Sequence, residues 1–191
     1  MDISSAPRRN VELKAVDPSP ERSRECCEQL GASDRGVLHQ RDTYFHVTDG
    51  GLKLREQRPG QAHLIQFERP DALEQRESRY RIIEVDDGEQ ARSALASALG
   101  VRATVTKRRR LFIWQSVRIH LDDVENLGTF IELEAVAPPQ SDLVREYQLI
   151  ADLRRRLDIT DARLVGVGYA KLLAERSVTT TTSRSGTQSD R

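Results

Sequence analysis

Several short runs set acids and bases two residues apart, among them RNVELKAV (Arg9 to Val16), LKLR (Leu52 to Arg55), VRIHLD (Val117 to Asp122) and FIELEAV (Phe130 to Val136). Successive side chains of an extended chain point to opposite faces. Asn10, Glu12 and Lys14 therefore share one side of the first run, and Val11, Leu13 and Ala15 share the other. The same reading puts Lys53 and Arg55 opposite Leu52 and Leu54, and Arg79 and Arg81 opposite Tyr80 and Ile82. Lys107 and Arg109 follow, then Arg118, His120 and Asp122, then Glu132 and Glu134. A one-residue slip in the KRRR run would exchange Lys107 and Arg109 for Arg108 and Arg110.

A sheet with one wet face accounts for any single run of this kind. What it does not account for is the sorting, with bases on the third, fifth and sixth runs and carboxylates on the first, seventh and eighth. Brought together in a closed barrel, those faces would line a shared bore. Arginine forks suit phosphate oxygens. Carboxylates would repel the same anion unless a hard divalent cation lay between, and Mg²⁺ or Mn²⁺ takes such oxygen ligands. The chemistry implied is a metal–oligophosphate site, in which Glu12 would serve the metal and Lys14 the phosphate.

The elements that must position these groups follow from pattern and punctuation. Strands are expected at 9–16, 37–46, 51–58, 62–69, 77–86, 102–113, 116–124 and 128–137, separated by Asp49-Gly50-Gly51, Pro59-Gly60, Asp86-Asp87-Gly88 and Gly128. Helices are expected at about 19–30, 88–99, 141–157 and 168–175. Many short strands with short connections favour an antiparallel sheet that curls or closes, with helices outside. Residues 1–8 form a flexible leader, 9–175 a single domain, and 176–191 a Ser/Thr-rich tail expected to be disordered.

Composition excludes other classes. Thirty basic and thirty acidic residues cancel, and aromatics make up only 5% of the 191 residues. That argues against an oligonucleotide-binding barrel, which needs aromatic platforms on a basic groove, and no apolar run is long enough for a membrane span. Cys26 and Cys27 adjoin on a helical pattern, read as buried or half-buried thiols in a reduced, cytoplasmic setting.

NVELK, DTYF followed by LKLRE, the KRRR strand, VRIHLDDVENLG and FIELE occur in this order. Together they resemble the CYTH superfamily, the triphosphate tunnel metalloenzymes that include class IV adenylate cyclases and thiamine triphosphatases. The likeness runs from about Arg9 to Ala174. It implies an α+β fold, an eight-stranded antiparallel closed barrel whose tunnel binds a triphosphate with Mg²⁺ or Mn²⁺. It implies Glu12, Asp122, Glu132 and Glu134 as metal ligands. Lys53, Arg55, Arg79, Arg81, Lys107, Arg109 and Arg118 become substrate contacts, and Glu12 and Lys14 catalytic groups. His120, on the same face as Arg118 and Asp122, is read from its position as a catalytic proton acceptor or orienting group, with a hydrogen-bonded structural histidine as the alternative. Asn10 stands where the family signature opens with glutamate, and Glu68 where many relatives have lysine. The expected partner is a small triphosphate (inorganic triphosphate, ATP or thiamine triphosphate), with no nucleic acid or membrane, and the chain a monomer or homodimer. Hydrolysis, cyclisation of ATP, and non-catalytic binding of triphosphate or polyphosphate all remain open at this point.

Overall fold

Alternation organises the first strand, β1 (Arg8–Val16). Val11, Leu13 and Ala15 are buried on its outer face, while Asn10, Glu12 and Lys14 turn inward. The computed structural model describes the backbone of residues 7–184 and the side chains of residues 7–177. After β1 come α1 (Pro20–Gln29), β2 (Ser33–Phe45), β3 (Gly51–Arg58), β4 (Ala62–Glu68), β5 (Arg76–Val85) and α2 (Gly88–Leu99). β6 (Val101–Trp114), β7 (Val117–Val124), β8 (Gly128–Ala137), α3 (Val144–Arg156) and α4 (Tyr169–Arg184) complete the chain, with a 3₁₀ turn at Asp161–Arg163 before α4. The strands form a closed antiparallel barrel in the order β1-β5-β4-β3-β2-β6-β7-β8, with β8 returning to β1. The α+β class and the closed eight-stranded barrel expected from the sequence are the fold the chain adopts.

Local chemistry sets the boundaries. Pro20 opens α1, where its missing N–H costs nothing. Asp87 caps α2 by accepting the Gln90 N–H at 2.9 Å, and Gly100 ends that helix at φ 74°. At Gly51 a Cβ would lie 2.2 Å from the Phe67 ring, so any other residue there would have to displace that ring.

The main core lies outside the barrel. Val11, Leu13, Ile119, Leu121, Ile131 and Leu133 pack there against Cys27 of α1 and Leu149, Ile150 and Leu153 of α3. Cys26 and Cys27 are unbridged, one half-buried and one buried, as their spacing predicts. A second cluster closes one end of the bore, where Tyr169 at the start of α4 packs on Val105, Val124 and Phe130. Val165 donates its N–H to the Lys14 carbonyl at 2.9 Å, tying this plug to β1.

Three boundaries differ from expectation. β2 begins at Ser33, because Gly36 (φ 85°) sits in a bulge between Asp34 and Val37 and does not end the strand. α3 begins at Val144, after Leu143 adopts a left-handed conformation. α4 runs to Arg184, past the expected end at 175 and into the segment read as a disordered tail; the remainder of that segment, and residues 1–6, lie outside the described residues. No helix among the described residues is long and apolar enough to cross a membrane.

Candidate active site in the barrel bore

Register brings the charged faces together. Glu12 lies opposite Glu134 and Lys14 opposite Glu132 on β1 and β8, while Arg118 faces Glu134 and His120 faces Glu132 on β7 and β8. Across the next pairs, Arg109 faces Asp122 and Asp42 faces Arg55. The cavity they enclose, about 120 Å³, is lined by Glu12, Lys14, Lys53, Arg55, Lys107, Arg109, Arg118, Glu132 and Glu134, among others.

Two buried aspartates hold the arginines. Both Asp122 oxygens accept from the Arg109 fork at 2.6 Å, and Tyr169 Oη donates to Asp122 at 2.9 Å. Asp42 does the same for Arg55, with two bonds of 2.7 Å, and also takes Lys53 at 3.1 Å. Lys107 Nζ lies between the two aspartates, 3.8 Å from Asp42 and 3.6 Å from Asp122. Burial alone would raise the Asp42 carboxyl, but Arg55, Lys53 and Lys107 hold it well below the usual carboxylate range. Burial, reinforced by Arg109, brings Lys107 down to about 7. Lys14 and Lys53 are lowered as well, burial being the leading cause in each.

The acidic side of the bore is built differently. Lys14 Nζ sits 2.9 Å from Glu132 and 3.6 Å above the Tyr169 ring, and Arg109 reaches Glu132 at 2.5 Å. Arg69 and Arg76 both approach Glu12 Oε1, at 2.8 and 3.1 Å. His120 Nδ1 lies 3.7 Å from Glu132 and 3.8 Å from Glu134, too far for a hydrogen bond. That nitrogen is buried and has no hydrogen-bond partner. Burial, with Arg109 adding to it, lowers the imidazole below its ordinary value despite Glu134, so it is neutral at pH 7. One donor atom each from His120, Glu132 and Glu134 lies within 4.8 Å of the others, a spacing that fits a divalent cation.

Not every expected residue lies here. Arg79 and Arg81 point out of the barrel, Arg79 to Glu77 at 2.8 Å and Arg81 to Gln66 at 3.1 Å. Taking the apolar partners of each strand as the outer face fails on β5, where Tyr80 and Ile82 line the cavity and Arg79 and Arg81 meet solvent. Glu68 is also exposed, bonded to Gln66, and does not touch the bore. Asp122 does face inward, with both oxygens already engaged by Arg109 and Tyr169. Asp42, Arg69, Arg76 and Tyr169 were not singled out from the sequence. Asp42 shares a face with Tyr44 in DTYF, and Arg69 continues the 65–67 alternation just past β4, so both carried a readable signal. Tyr169 reaches the bore only through the tertiary placement of α4.

Residues 8–165 match the CYTH domain family. No curated protein matches the chain. Among solved structures, the PH1012 protein of Pyrococcus horikoshii OT3 superposes with TM-score 0.75 at 26% identity, over 85% of this chain and 98% of that one. A conserved protein of Pyrococcus furiosus gives TM-score 0.74 at 20% identity, over 85% and 99%. HpAC1 from Hippeastrum, described as having a dominant triphosphatase activity, gives TM-score 0.60 at 15% identity, over 88% and 95%. With the barrel closed, the charged bore assembled and the match spanning nearly all of the strands and helices, the chain belongs to the CYTH domain family.

Proposed function

We propose that the protein is a divalent-metal-dependent triphosphatase that hydrolyses its substrate in the barrel bore. The observation that carries this reading is the unpartnered His120 Nδ1 beside Glu132 and Glu134, facing a wall where cations outnumber carboxylates. Glu132, Glu134 and His120 would hold the metal, with Glu12 alongside Glu134 on the neighbouring strand. An imidazole among carboxylates favours Mn²⁺ over the more strictly oxygen-seeking Mg²⁺. When bound, the ion supplies charge neutralisation on phosphate oxygens and a lowered pKa for water.

The side chains supply positioning, which is most of what phosphoryl transfer asks of a protein. Asp42 and Asp122 fix the forks of Arg55 and Arg109, so these cations meet a phosphate chain without reorganising. Asp122, with both oxygens engaged by Arg109 and Tyr169, thus acts as a positioning residue and not as a metal ligand. Lys53 and Lys107 lie beside these forks, near Asp42, Lys14 lies across from them with Glu132, and Arg118 lies near the edge of the site, its side chain 39% exposed. Attack of water on the terminal phosphorus breaks its bridging P–O bond and yields orthophosphate and the shortened phosphate. The shared fold with HpAC1 is in keeping with this reaction.

Purified protein incubated with inorganic triphosphate, ATP and thiamine triphosphate, with Mg²⁺, Mn²⁺ or chelator, tests the reading. Metal-dependent orthophosphate release is expected. Cyclic nucleotide with pyrophosphate as the main product would instead make it a cyclase, and saturable binding without products would make it a sensor.

A further inference from the structure

Resting on the metal-dependent reading of the bore, we propose that Glu12 is a positioning residue that holds Arg69 and Arg76, and that the bore takes a single divalent cation, at His120, Glu132 and Glu134. Glu12 stands beside that cation without ligating it. The bore carboxylates differ in what their cations would keep if a metal took the carboxylate. Glu132 pairs with Lys14 and Arg109. Without it, Arg109 keeps both bonds to Asp122, and Lys14 keeps its place over the Tyr169 ring. Glu134 faces Arg118 at 3.8 Å, a side chain that reaches water, and the neutral His120. Giving these two carboxylates to a metal strands no buried cation.

Glu12 differs. Arg69 Nη1 donates to its Oε1 at 2.8 Å, and Arg76 Nη2 lies 3.1 Å from the same oxygen. Among the described residues neither arginine has another carboxylate within ion-pair distance. Arg76 is 3% exposed, and its Nη1 donates to the Ala72 and Gly166 carbonyls, so it has no path to water. A metal that claimed Glu12 would leave two guanidinium groups in the barrel wall without a counter-charge, which is costly. Their seat is built into the chain. A Cβ at Gly168 would lie 2.9 Å from Arg69 Nη2, and one at Gly166 would lie 3.0 Å from the Ala72 carbonyl carbon. Asn10 and Ser78, paired across β1 and β5, line the bore next to Glu12 and carry no charge, so they add no carboxylate with which Glu12 could share a second cation. Arg69 thus joins Arg55 and Arg109 as a guanidinium fixed in the bore by a carboxylate.

Titration of the full chain with Mn²⁺, followed by electron paramagnetic resonance of the unbound ion, reads metal without turnover. One Mn²⁺ per chain is expected. Glu134→Gln is expected to weaken its binding about tenfold or more, and Glu12→Gln to leave it within about twofold. Positioning has its own readout, calorimetry with inorganic triphosphate in metal-free buffer. Glu12→Gln is expected to shift that affinity about threefold or more in the wild-type background and less than about twofold beside Arg69→Met, because an effect carried through Arg69 disappears with it. The wild-type stoichiometry decides even if Glu12→Gln does not fold. Two Mn²⁺ per chain, or equal loss of Mn²⁺ affinity from Glu12→Gln and Glu134→Gln, would overturn the inference and leave the metal-dependent reading standing. Equal triphosphate shifts in both backgrounds would overturn the positioning role. No bound Mn²⁺ at all would overturn the inference and the metal-dependent reading together.

Discussion

Arg55 and Arg109 each give two N–H groups to a buried aspartate, at 2.6–2.7 Å. That costs them freedom and fixes their direction, so a phosphate chain meets cations already in place. Removing either aspartate would leave a buried guanidinium short of its partner, a loss of about 3–5 kcal/mol in comparable pairs. The acidic residues do different work. Glu134→Gln keeps shape and burial but removes a charged ligand, so metal-dependent phosphate release should fall by about two orders of magnitude or more with the circular dichroism spectrum unchanged. Lys107 makes a separate, pH-dependent prediction. With its pKa near 7, it is largely neutral at pH 8 in the free protein, and a bound anion favours its ammonium form. Metal-free triphosphate binding at pH 8 should therefore include a component of proton uptake that Lys107→Met removes, seen as a change in how the binding heat depends on buffer ionisation. At pH 6, where Lys107 is already protonated, that difference should vanish.

Among the elements, β1, β3, β7 and β8 were legible because alternation places their charges on one face and apolar residues on the other, whereas β6 carries bases on both faces, Lys107 and Arg109 inward and Arg108 exposed. On β5 the same rule gave the wrong face. Among the described residues β5 contributes to neither hydrophobic cluster and Arg79, Arg81 and Ile83 on its outer face are exposed, so water takes the arginines and the bore takes Tyr80 and Ile82; nothing in RYRI shows which side will be covered. β2 extends four residues further back than the expected 37–46, because the register shift between Asp34 and Val37 carries the strand through Gly36 as a bulge. The start of α4 was harder still. Its Tyr169 joins the Asp122 network and packs on Val105, Val124 and Phe130, contacts that depend on where the helix docks and leave no period in the sequence. Tyr169→Ala should cost about 3–5 kcal/mol in urea unfolding, as large-to-small changes in packed sites do. Tyr169→Phe, which removes only the hydroxyl, should cost about 1 kcal/mol.

Across the whole molecule, closure turns separate strands into a chemical device. Closing the sheet brings the first and last strands together, so that Glu12 of β1 and Glu134 of β8, far apart in sequence, become neighbours. The helices cover the outside of β1, β7 and β8, and that cover lets the inner faces stay polar without unfolding the sheet. A net formal charge of zero fits this arrangement, because the positive excess is confined to the bore and does not spread over the surface. Metal and triphosphate are proposed to meet inside this bore. Crystals grown with Mn²⁺ and a triphosphate check this through anomalous scattering at the manganese edge. A manganese peak ligated by Glu132 and Glu134 is expected, with phosphate density running along Lys53, Arg55 and Arg109. A bore holding neither, with manganese and phosphate bound elsewhere on the protein, would contradict it.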